Sequence, residues 1–315
     1  MPESNFMTVL GERIFELKNP SLLGLDPKLE YLPEYLLKDL ARAEAGAELE
    51  AELARALFRY NEELLSACSK IIPAVKFQMA YYEQYGIAGL RALQDSIGLA
   101  KSLGYQVIID GKRNDIGATA EAYARAFLKE SKTPFGQSVP AFQGDALTVN
   151  FYLGEDGVKP FADELRTSGK GIFLLLRTSN PSGKELQDMQ LADGRKAYES
   201  LAERCAAWAE KLRDKSEAYS PIGVVVGATY PKEAARLRQN FPHLFFLVPG
   251  YGAQGASAKD VAVAFDRKGG GAIINSSRGL MNAWQALGYE HREFAKATQE
   301  AALAMRAEFS QFMKF

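Results

Sequence analysis

Short apolar runs that end in polar or glycine-rich turns alternate with helical patterns along the chain. This alternation is typical of βα units. Eight runs are predicted as strands, at residues 22–26, 71–77, 107–112, 146–150, 171–177, 222–227, 245–249 and 271–275. Eight strands with intervening helices favour an α/β fold of the closed (β/α)8, or TIM, barrel type over an open doubly wound sheet. The open dinucleotide-binding alternative also lacks a G-x-G-x-x-G sequence after its first strand.

Helices are predicted where apolar residues recur at intervals of three or four. Two such faces consist of Leu53, Leu57, Tyr60 and Leu64, and of Tyr198, Leu201, Cys205, Trp208 and Leu212. Ser257 followed by Asp260 resembles a capping box that opens a further helix, with Asp in place of the more usual Glu.

Two segments exceed a minimal barrel. Residues 28–52 include an acidic helix around 48–52, which is most simply a solvated face. Residues 131–145 are predicted to form a Pro/Gly-interrupted loop before the fourth strand.

The length of 315 residues, with 47% hydrophobic residues, is enough for one large core. We therefore expect residues 1–315 to form a single barrel domain. A formal net charge of -1 provides no basic field for nucleic acid, so anion recognition has to be local. No apolar run reaches the length of a signal peptide or a membrane span, and we expect no membrane partner.

The two cysteines, Cys68 and Cys205, are far apart and surrounded by apolar residues. They indicate reduced core thiols in a cytoplasmic protein rather than a disulfide. His243 and His291 are isolated as well, so histidine and cysteine alone provide no zinc site, although carboxylates could still bind magnesium.

The stretch QVIIDGKRNDIGATAEAY, residues 106–123, places Asp110, Lys112 and Asp115 at the end of an apolar run. Alternation along a strand puts Asp110 and Lys112 on one face, and the following turn can bring Asp115 towards the same ammonium. The residues alone leave open a structural ion-pair cluster. A functional site is the other interpretation, because α/β folds place their chemistry at the carboxyl ends of parallel strands.

Further candidates follow other predicted strands. Asp26 precedes Pro27 after the first strand, where a simple Asp-Pro turn is an equal alternative. Lys76 ends the second strand and could instead extend outward to solvent. Ser179, in RTSNPSG after the fifth strand, could belong to an ordinary turn.

The loops after the seventh and eighth strands both suit an anion. In PGYGAQG, Gly250 and its neighbouring glycines let the backbone approach a ligand, and Gln254 offers an amide. In NSSRGL, Arg278 can donate two hydrogen bonds to phosphate oxygens. Barrels of this type commonly bind phosphate with these two loops, so one phosphate site is predicted.

The sequence DGKRNDIGATAEAYA, together with SNP and PGYGAQG, resembles the orotidine 5′-phosphate decarboxylase family over essentially the whole chain, in its type 2 or mycobacterial-type subfamily. The pattern D-x-K-x-x-D alone is shared with hexulose-phosphate synthases and ketogulonate-phosphate decarboxylases. The extension DIxxT and the two other motifs make the resemblance specific. Ser277 stands before Arg278, where other branches of the family often have glycine.

The resemblance implies decarboxylation of orotidine 5′-phosphate to UMP and CO2, a step of pyrimidine biosynthesis, without metal or organic cofactor. It implies that the Lys112 ammonium, between Asp110 and Asp115, stabilises the C6 carbanion and protonates it. It gives Lys76 a hydrogen bond to Asp110 and to a ribose hydroxyl.

The remaining roles implied by the resemblance concern substrate binding and assembly. Asp26 is expected to bind the ribose, Ser179 the pyrimidine ring, and Gln254 and Arg278 the phosphate, with Pro249 and Gly250 in the loop that closes over it. The resemblance also implies a homodimer in which Asp115, Ile116 and Thr119 reach into the active site of the neighbouring subunit.

Two other functions remain open. One is a magnesium-dependent aldolase or β-keto-acid decarboxylase that acts on sugar phosphates, in which the acidic pair would bind metal. The other is a non-catalytic barrel that binds a phosphate ligand, although Asp110, Lys112 and Asp115 are more than binding alone requires.

Overall fold

The protein is described from a computed structural model, which covers residues 4–252 and 255–314. The strands in these residues are β1 (Ser21–Leu25), β2 (Ala74–Gln78), β3 (Gln106–Arg113), β4 (Glu130–Lys132), β5 (Ser138–Pro140), β6 (Ala146–Val149), β7 (Gly171–Arg177), β8 (Ile222–Val226), β9 (Phe246–Pro249) and β10 (Ala272–Ser276). Within the described chain, eight of them form a closed parallel barrel in the order β1-β2-β3-β6-β7-β8-β9-β10. The predicted (β/α)8 barrel is confirmed.

Helices surround the barrel and follow its strands. They are α1 (Phe6–Leu17), α2 (Glu34–Leu37), α3 (Ala47–Cys68), α4 (Ala80–Glu83), α5 (Gly86–Ser102), α6 (Gly117–Leu128), α7 (Lys159–Ser168), α8 (Gly183–Gln187), α9 (Ala197–Glu210), α10 (Pro231–Asn240), α11 (Ala258–Ala262), α12 (Arg278–Met281), α13 (Ala283–Leu287) and α14 (Phe294–Phe309). The two predicted helix faces lie on α3 and α9, although Leu212 falls just beyond the end of α9. The capping box at Ser257 forms both of its hydrogen bonds and opens α11.

The amino-terminal end of the barrel is closed by α1. Asn5 caps this helix by accepting hydrogen bonds from the amides of Met7 and Thr8. Phe6 packs edge-on against Phe173 at 6.2 Å between ring centroids, inside the cluster that fills the barrel interior. The barrel strands are buried on both faces, which explains their continuous apolar runs. The carboxyl ends of the strands are left for a binding site.

Two sequence predictions differ locally from the structure. The second strand begins at Ala74 rather than Ile71, because the amides of Ile71 and Ile72 bond to the carbonyl of Cys68 and prolong the end of α3. The segment 131–145 is not wholly a loop, since β4 and β5 pair antiparallel as a hairpin.

The segment 28–52 also contributes local structure. It contains a short 3-10 helix, Leu29–Tyr31, followed by α2 and the start of α3. Residues 48–51 are exposed, as the solvated-face interpretation predicts.

Candidate active site

A cleft of about 410 Å³ opens at the carboxyl ends of the barrel strands. Its lining includes Asp26, Pro249, Gly250, Asn275, Ser277 and Arg278. These residues follow or end β1, β9 and β10, the first, seventh and eighth barrel strands. The structure therefore brings Asp26, the predicted ribose ligand, and Arg278, one of the two predicted phosphate ligands, into one cleft.

Asp110 lies between two ammonium groups at this end of the barrel. The Nζ atom of Lys76 is 2.9 Å from its Oδ2, and the Nζ atom of Lys112 is 2.7 Å from its Oδ1. Lys76 is only 4% exposed, so the interpretation that it extends outward to solvent is wrong. Its Nζ atom is also 3.9 Å from Asp26 Oδ1. The four groups form a chain of alternating charge, which makes their partial burial tolerable.

The pKa values of the buried pair follow from this pairing. Burial acts to raise the pKa of Asp110, but the charges of Lys76 and Lys112 and their hydrogen bonds outweigh it and hold the pKa well below its usual range. Burial acts to lower the pKa of Lys76, but Asp110 and Asp26 outweigh it and raise the pKa above 10.5. At neutral pH Asp110 is therefore ionised and Lys76 is charged.

Lys112 is held by an irregular backbone. Its φ is 46°, and the pairing of β3 with β6 shifts register between Ile109 and Arg113. The Lys112 amide donates to Thr148 Oγ1 at 2.9 Å, and the same hydroxyl donates to Asp110 Oδ1 at 2.8 Å. Thr148 thus satisfies the displaced amide and orients the carboxylate.

Within one chain, Asp115 does not pair with the Lys112 ammonium. In the part of the chain that the structure describes, Lys112 has an ion pair with Asp110 and none with Asp115. Asp115 Oδ1 instead accepts the amide of Ile116 at 2.8 Å, just before α6 begins. The sequence-based interpretation that the local turn returns Asp115 to its own Lys112 is therefore wrong.

Ile116 and Thr119 lie away from the cleft. Ile116 is 50% exposed and lines a separate surface groove, and Thr119 is exposed on the first turn of α6. A single chain does not bring these two residues to Lys112.

The loops after β9 and β10 are the two that are predicted to bind phosphate, and the first of them is described only in part. Gly250 has φ of 101°, a conformation that favours glycine. Arg278 is exposed, and no carboxylate among the described residues lies within ion-pair distance of it. Gln254, the other predicted phosphate ligand, lies outside the described residues.

The strand-eight loop fits closely against β1. A Cβ atom at Gly24 would lie 2.0 Å from Ser277 Oγ and 2.8 Å from Asn275 Oδ1, so only glycine allows these side chains to lie there. The Oδ1 atoms of Asn275 and Asp26 are shielded from solvent and make no hydrogen bond within the described residues. Two unsatisfied acceptors at one cleft are suited to ligand hydroxyl or amide groups.

Ser179 is half-buried in the loop after β7, and the lining of the cleft does not include it. Its backbone lies against the end of β8, because a Cβ atom at Gly227 would be 2.8 Å from Ser179 Cα. Ser179 therefore packs against the end of β8, the sixth strand of the barrel, and does not line the cleft.

Sequence reasoning missed three polar residues around Asp110 and the cleft. Thr148 and Asn275 fall within the predicted strands 146–150 and 271–275, and the sequence predicts no role for them. Gln78, with its amide in the orientation that satisfies both of its atoms, donates to Asp110 O and Oδ2 at 2.8 and 3.0 Å. The available signal was a polar residue within or at the end of an apolar strand, as for Thr148 in ALTVN.

Residues 38–286 match the model of the orotidine 5′-phosphate decarboxylase / HUMPS family. The chain belongs to this family. The orotidine 5′-phosphate decarboxylase of Rhodopirellula baltica is 41% identical over 94% of this chain and 93% of its own length. That of Caldicellulosiruptor saccharolyticus is 37% identical over 96% of this chain and 97% of its own length.

The solved structure of the OMP decarboxylase of Leishmania donovani has the same fold. Its TM-score is 0.69 at 30% sequence identity, with coverage of 96% of this chain and 99% of that chain. The family membership predicted from the sequence motifs is confirmed, whereas the type 2 subfamily stays a prediction.

No helix among residues 4–252 and 255–314 is both long and apolar enough to cross a membrane.

Proposed function

We propose that the chain decarboxylates orotidine 5′-phosphate to UMP and CO2. The observation that carries this proposal is the arrangement of Lys76, Asp110 and Lys112, with contacts of 2.9 and 2.7 Å, at the carboxyl end of a barrel of the decarboxylase family. Relatives with 41% and 37% identity that bear the name orotidine 5′-phosphate decarboxylase support it.

The chemistry requires a cation at a defined point. Loss of CO2 from C6 leaves a carbanion of vinyl character, because no carbonyl is placed to accept the electron pair. The Lys112 ammonium is proposed to stabilise that charge and to donate the proton that forms UMP. Asp110 would keep this ammonium in place, and Lys76 would fix Asp110 and bond to a ribose hydroxyl.

Substrate binding is proposed to use the cleft. The unsatisfied Oδ1 of Asp26 would accept a hydrogen bond from the ribose. Arg278, which has no described carboxylate partner, would bind the phosphate together with Gln254 and the backbone at Pro249 and Gly250. Remote phosphate contacts can supply binding energy that organises the reacting centre. The loop that holds Ser179 would meet the pyrimidine ring.

The active unit is proposed to be a homodimer in which Asp115, Ile116 and Thr119 act in the neighbouring subunit. The exposure of Ile116 supports this, as does the exposure of Tyr152 and Leu153, at 82% and 45%. A Cβ atom at Gly157 would be 3.3 Å from both the Asp115 carbonyl and Leu153 Cβ, so this apolar surface adjoins Asp115. A second copy of the chain would cover it.

Three further expectations remain proposals. We propose that residues 1–315 form one domain, supported by the packing of α14 against α3 and β1. A cytoplasmic location is supported by the buried free thiols of Cys68 and Cys205. We also propose that the reaction needs no metal or organic cofactor, because the Lys112 ammonium would stabilise the carbanion and donate the proton.

A direct assay tests the proposal. Purified protein is mixed with orotidine 5′-phosphate in EDTA, and conversion to UMP is followed by ultraviolet absorbance. Conversion at an unchanged rate with and without EDTA is expected. No conversion in either condition would contradict the proposal, and conversion that needs added magnesium would favour the metal-dependent relatives.

A further inference from the structure

Arg177, the last residue of β7, is completely buried at the carboxyl end of the barrel. Its Nη1 atom lies 2.9 Å from Asp188 Oδ1 and donates to Gln187 Oε1 at 3.3 Å. Its Nη2 atom lies 3.8 Å from Glu233 Oε1, in the first turn of α10. One guanidinium therefore ties the end of α8, which follows β7, to the first turn of α10, which follows β8.

Two aromatic rings restrict the plane of this guanidinium. Its central carbon is 3.8 Å from the ring centroid of Tyr230 and 5.0 Å from that of Tyr198. Both rings are buried, at 8% and 4% exposure. A buried cation that is paired with carboxylates and stacked on aromatic faces has little freedom to move.

The same cluster holds the residues that follow Arg177. The Thr178 amide donates to Gln187 Oε1 at 3.1 Å, and Gln187 Nε2 donates to Thr178 Oγ1 at 2.7 Å. The Gly227 amide donates to the Arg177 carbonyl at 2.7 Å. Ser179 is the residue after Thr178, and its backbone lies against Gly227. A side chain at position 227 would collide with Ser179. The position of Ser179 therefore depends on groups that Arg177 and Gln187 hold.

We infer that Arg177 is a positioning residue that fixes Ser179 where it meets the pyrimidine ring of the substrate. This inference rests on the proposed function, which gives Ser179 that contact. A displacement of about 1 Å in a positioned group can cost about 100-fold in rate, so a rigid anchor below the loop has a kinetic effect.

The first test compares two buried arginines at opposite ends of the barrel. Arg177→Lys keeps a positive charge for Asp188 and Glu233 but loses the planar fork. Arg238→Lys is the matched control, since Arg238 is 7% exposed and donates to the carbonyls of Leu244 and Gly271, just before β9 and β10. Both variants should melt at lower temperature than the parent.

Only Arg177→Lys should change the kinetics. We expect its kcat/KM for orotidine 5′-phosphate to fall by about 10-fold or more, and that of Arg238→Lys to stay within about twofold. If Arg177→Lys melts lower and keeps the parent kcat/KM, Arg177 is only structural and the inference is wrong.

A double-mutant cycle tests whether Arg177 acts through Ser179. In a Ser179→Ala background, Arg177→Lys should change kcat/KM by less than about twofold, because the hydroxyl it positions is gone. An equal loss in both backgrounds would overturn the inference. If Ser179→Ala alone has the parent kcat/KM, the Ser179 contact and this inference both fail, while the decarboxylation itself stands.

Gln187→Met provides the same cycle if Arg177→Lys does not fold. It removes the bonds to Thr178 without removing a charge and with little change in volume. Its loss of kcat/KM should likewise disappear in the Ser179→Ala background, and an unchanged kcat/KM in Gln187→Met alone would contradict the proposed anchor.

Discussion

Lys112 has a backbone conformation that most side chains avoid. A φ of 46° places it in the left-handed region, which costs a non-glycine residue about 1 kcal/mol or more. The Thr148 hydroxyl and the Asp110 carboxylate hold it there. Strain of this kind persists where the surrounding structure determines the position of a functional group.

Replacing Lys112 tests its chemical role. Lys112→Ala should lower kcat by about 1000-fold or more, because it removes the proposed proton donor and the positive charge proposed to stabilise the C6 carbanion. The melting temperature should fall only modestly, because the Lys112 side chain is 46% exposed and Asp110 keeps its ion pair with Lys76. Ultraviolet turnover and thermal melting measure the two effects. Lys268→Ala, exposed in the loop before β10, is the control, and near-parental turnover of Lys112→Ala would exclude it as the proton donor.

Arg278 is expected to act on the phosphate alone. Arg278→Ala should lower kcat/KM for orotidine 5′-phosphate by about 100-fold, because two charged hydrogen bonds are lost. It should matter little for the unphosphorylated nucleoside orotidine. Parallel assays of both substrates measure the difference, and equal losses would show that Arg278 does not bind phosphate.

At the level of elements, the pairing of β2 with β3 brings opposite charges together. Gln78 lies opposite Asp110 in the register, and Lys76 lies opposite Ile108. The lysine side chain spans this offset to reach Asp110 at 2.9 Å. Two residues 34 positions apart in the chain thus meet because neighbouring strands of a parallel barrel end at the same edge.

Removing one member of this pair should destabilise the fold. Lys76→Met leaves Asp110 buried with one cation fewer and should lower the free energy of unfolding by about 3–5 kcal/mol. Lys76→Met with Asp110→Asn should recover part of that loss. Urea unfolding measures both. Lys268→Met is the exposed control and should change little, and a single variant as stable as the parent would show that the pair contributes no stability.

The same pair predicts a pH dependence of stability. The pKa of folded Asp110 lies below its usual 3.8, so its contribution is complete above about pH 5 and is lost as the pH falls through the folded value. The pKa of folded Lys76 lies above 10.5, so its contribution is complete below about pH 9 and is lost as the pH rises through the folded value. The stability difference between the parent and the double variant should therefore be flat between these limits, and urea unfolding at several pH values measures it. A slope within that window would contradict the assignment.

At the level of the whole molecule, the two ends of the barrel differ. α1 fills the amino-terminal end with apolar side chains, whereas the carboxyl end has the charged cleft and the exposed segment 116–119. Within one chain the Lys112 ammonium has one carboxylate partner at ion-pair distance among the described residues. The second carboxylate is expected from another subunit.

Subunit exchange tests this shared site. Lys112→Ala and Asp115→Ala homodimers should both be inactive, but if Asp115 acts in the neighbouring subunit, a hybrid has one site that lacks both groups and one that lacks neither. Equal mixing should therefore restore about one quarter of the parental activity, since about half of the dimers are hybrids with one intact site each. Mass spectrometry of tagged subunits confirms exchange, and hybrids that form but stay inactive would exclude Asp115 acting in the neighbouring subunit.

Local sequence patterns were sufficient to predict the barrel strands and the start of one helix. The apolar runs predicted eight strands to within three residues, and Ser257 with Asp260 predicted a helix start, because these features depend on neighbours in the chain. The sequence predicts that Asp26, Lys76 and Asp110 lie at strand ends and Arg278 in the loop after the eighth strand, and the structure places all four at one end of the barrel.

The sequence by itself determined the barrel class and the residues at the carboxyl ends of its strands. The spacing of hydrophobic residues and the ends of strands both depend on residues that are neighbours in the chain. Only the tertiary structure decided that Thr148 bonds to both Asp110 and Lys112, that β3 shifts register there, and that Asp115 turns away from its own Lys112. The reason is physical. These contacts depend on the register between strands far apart in sequence, and barrel closure sets that register by packing rather than by any local preference of the chain.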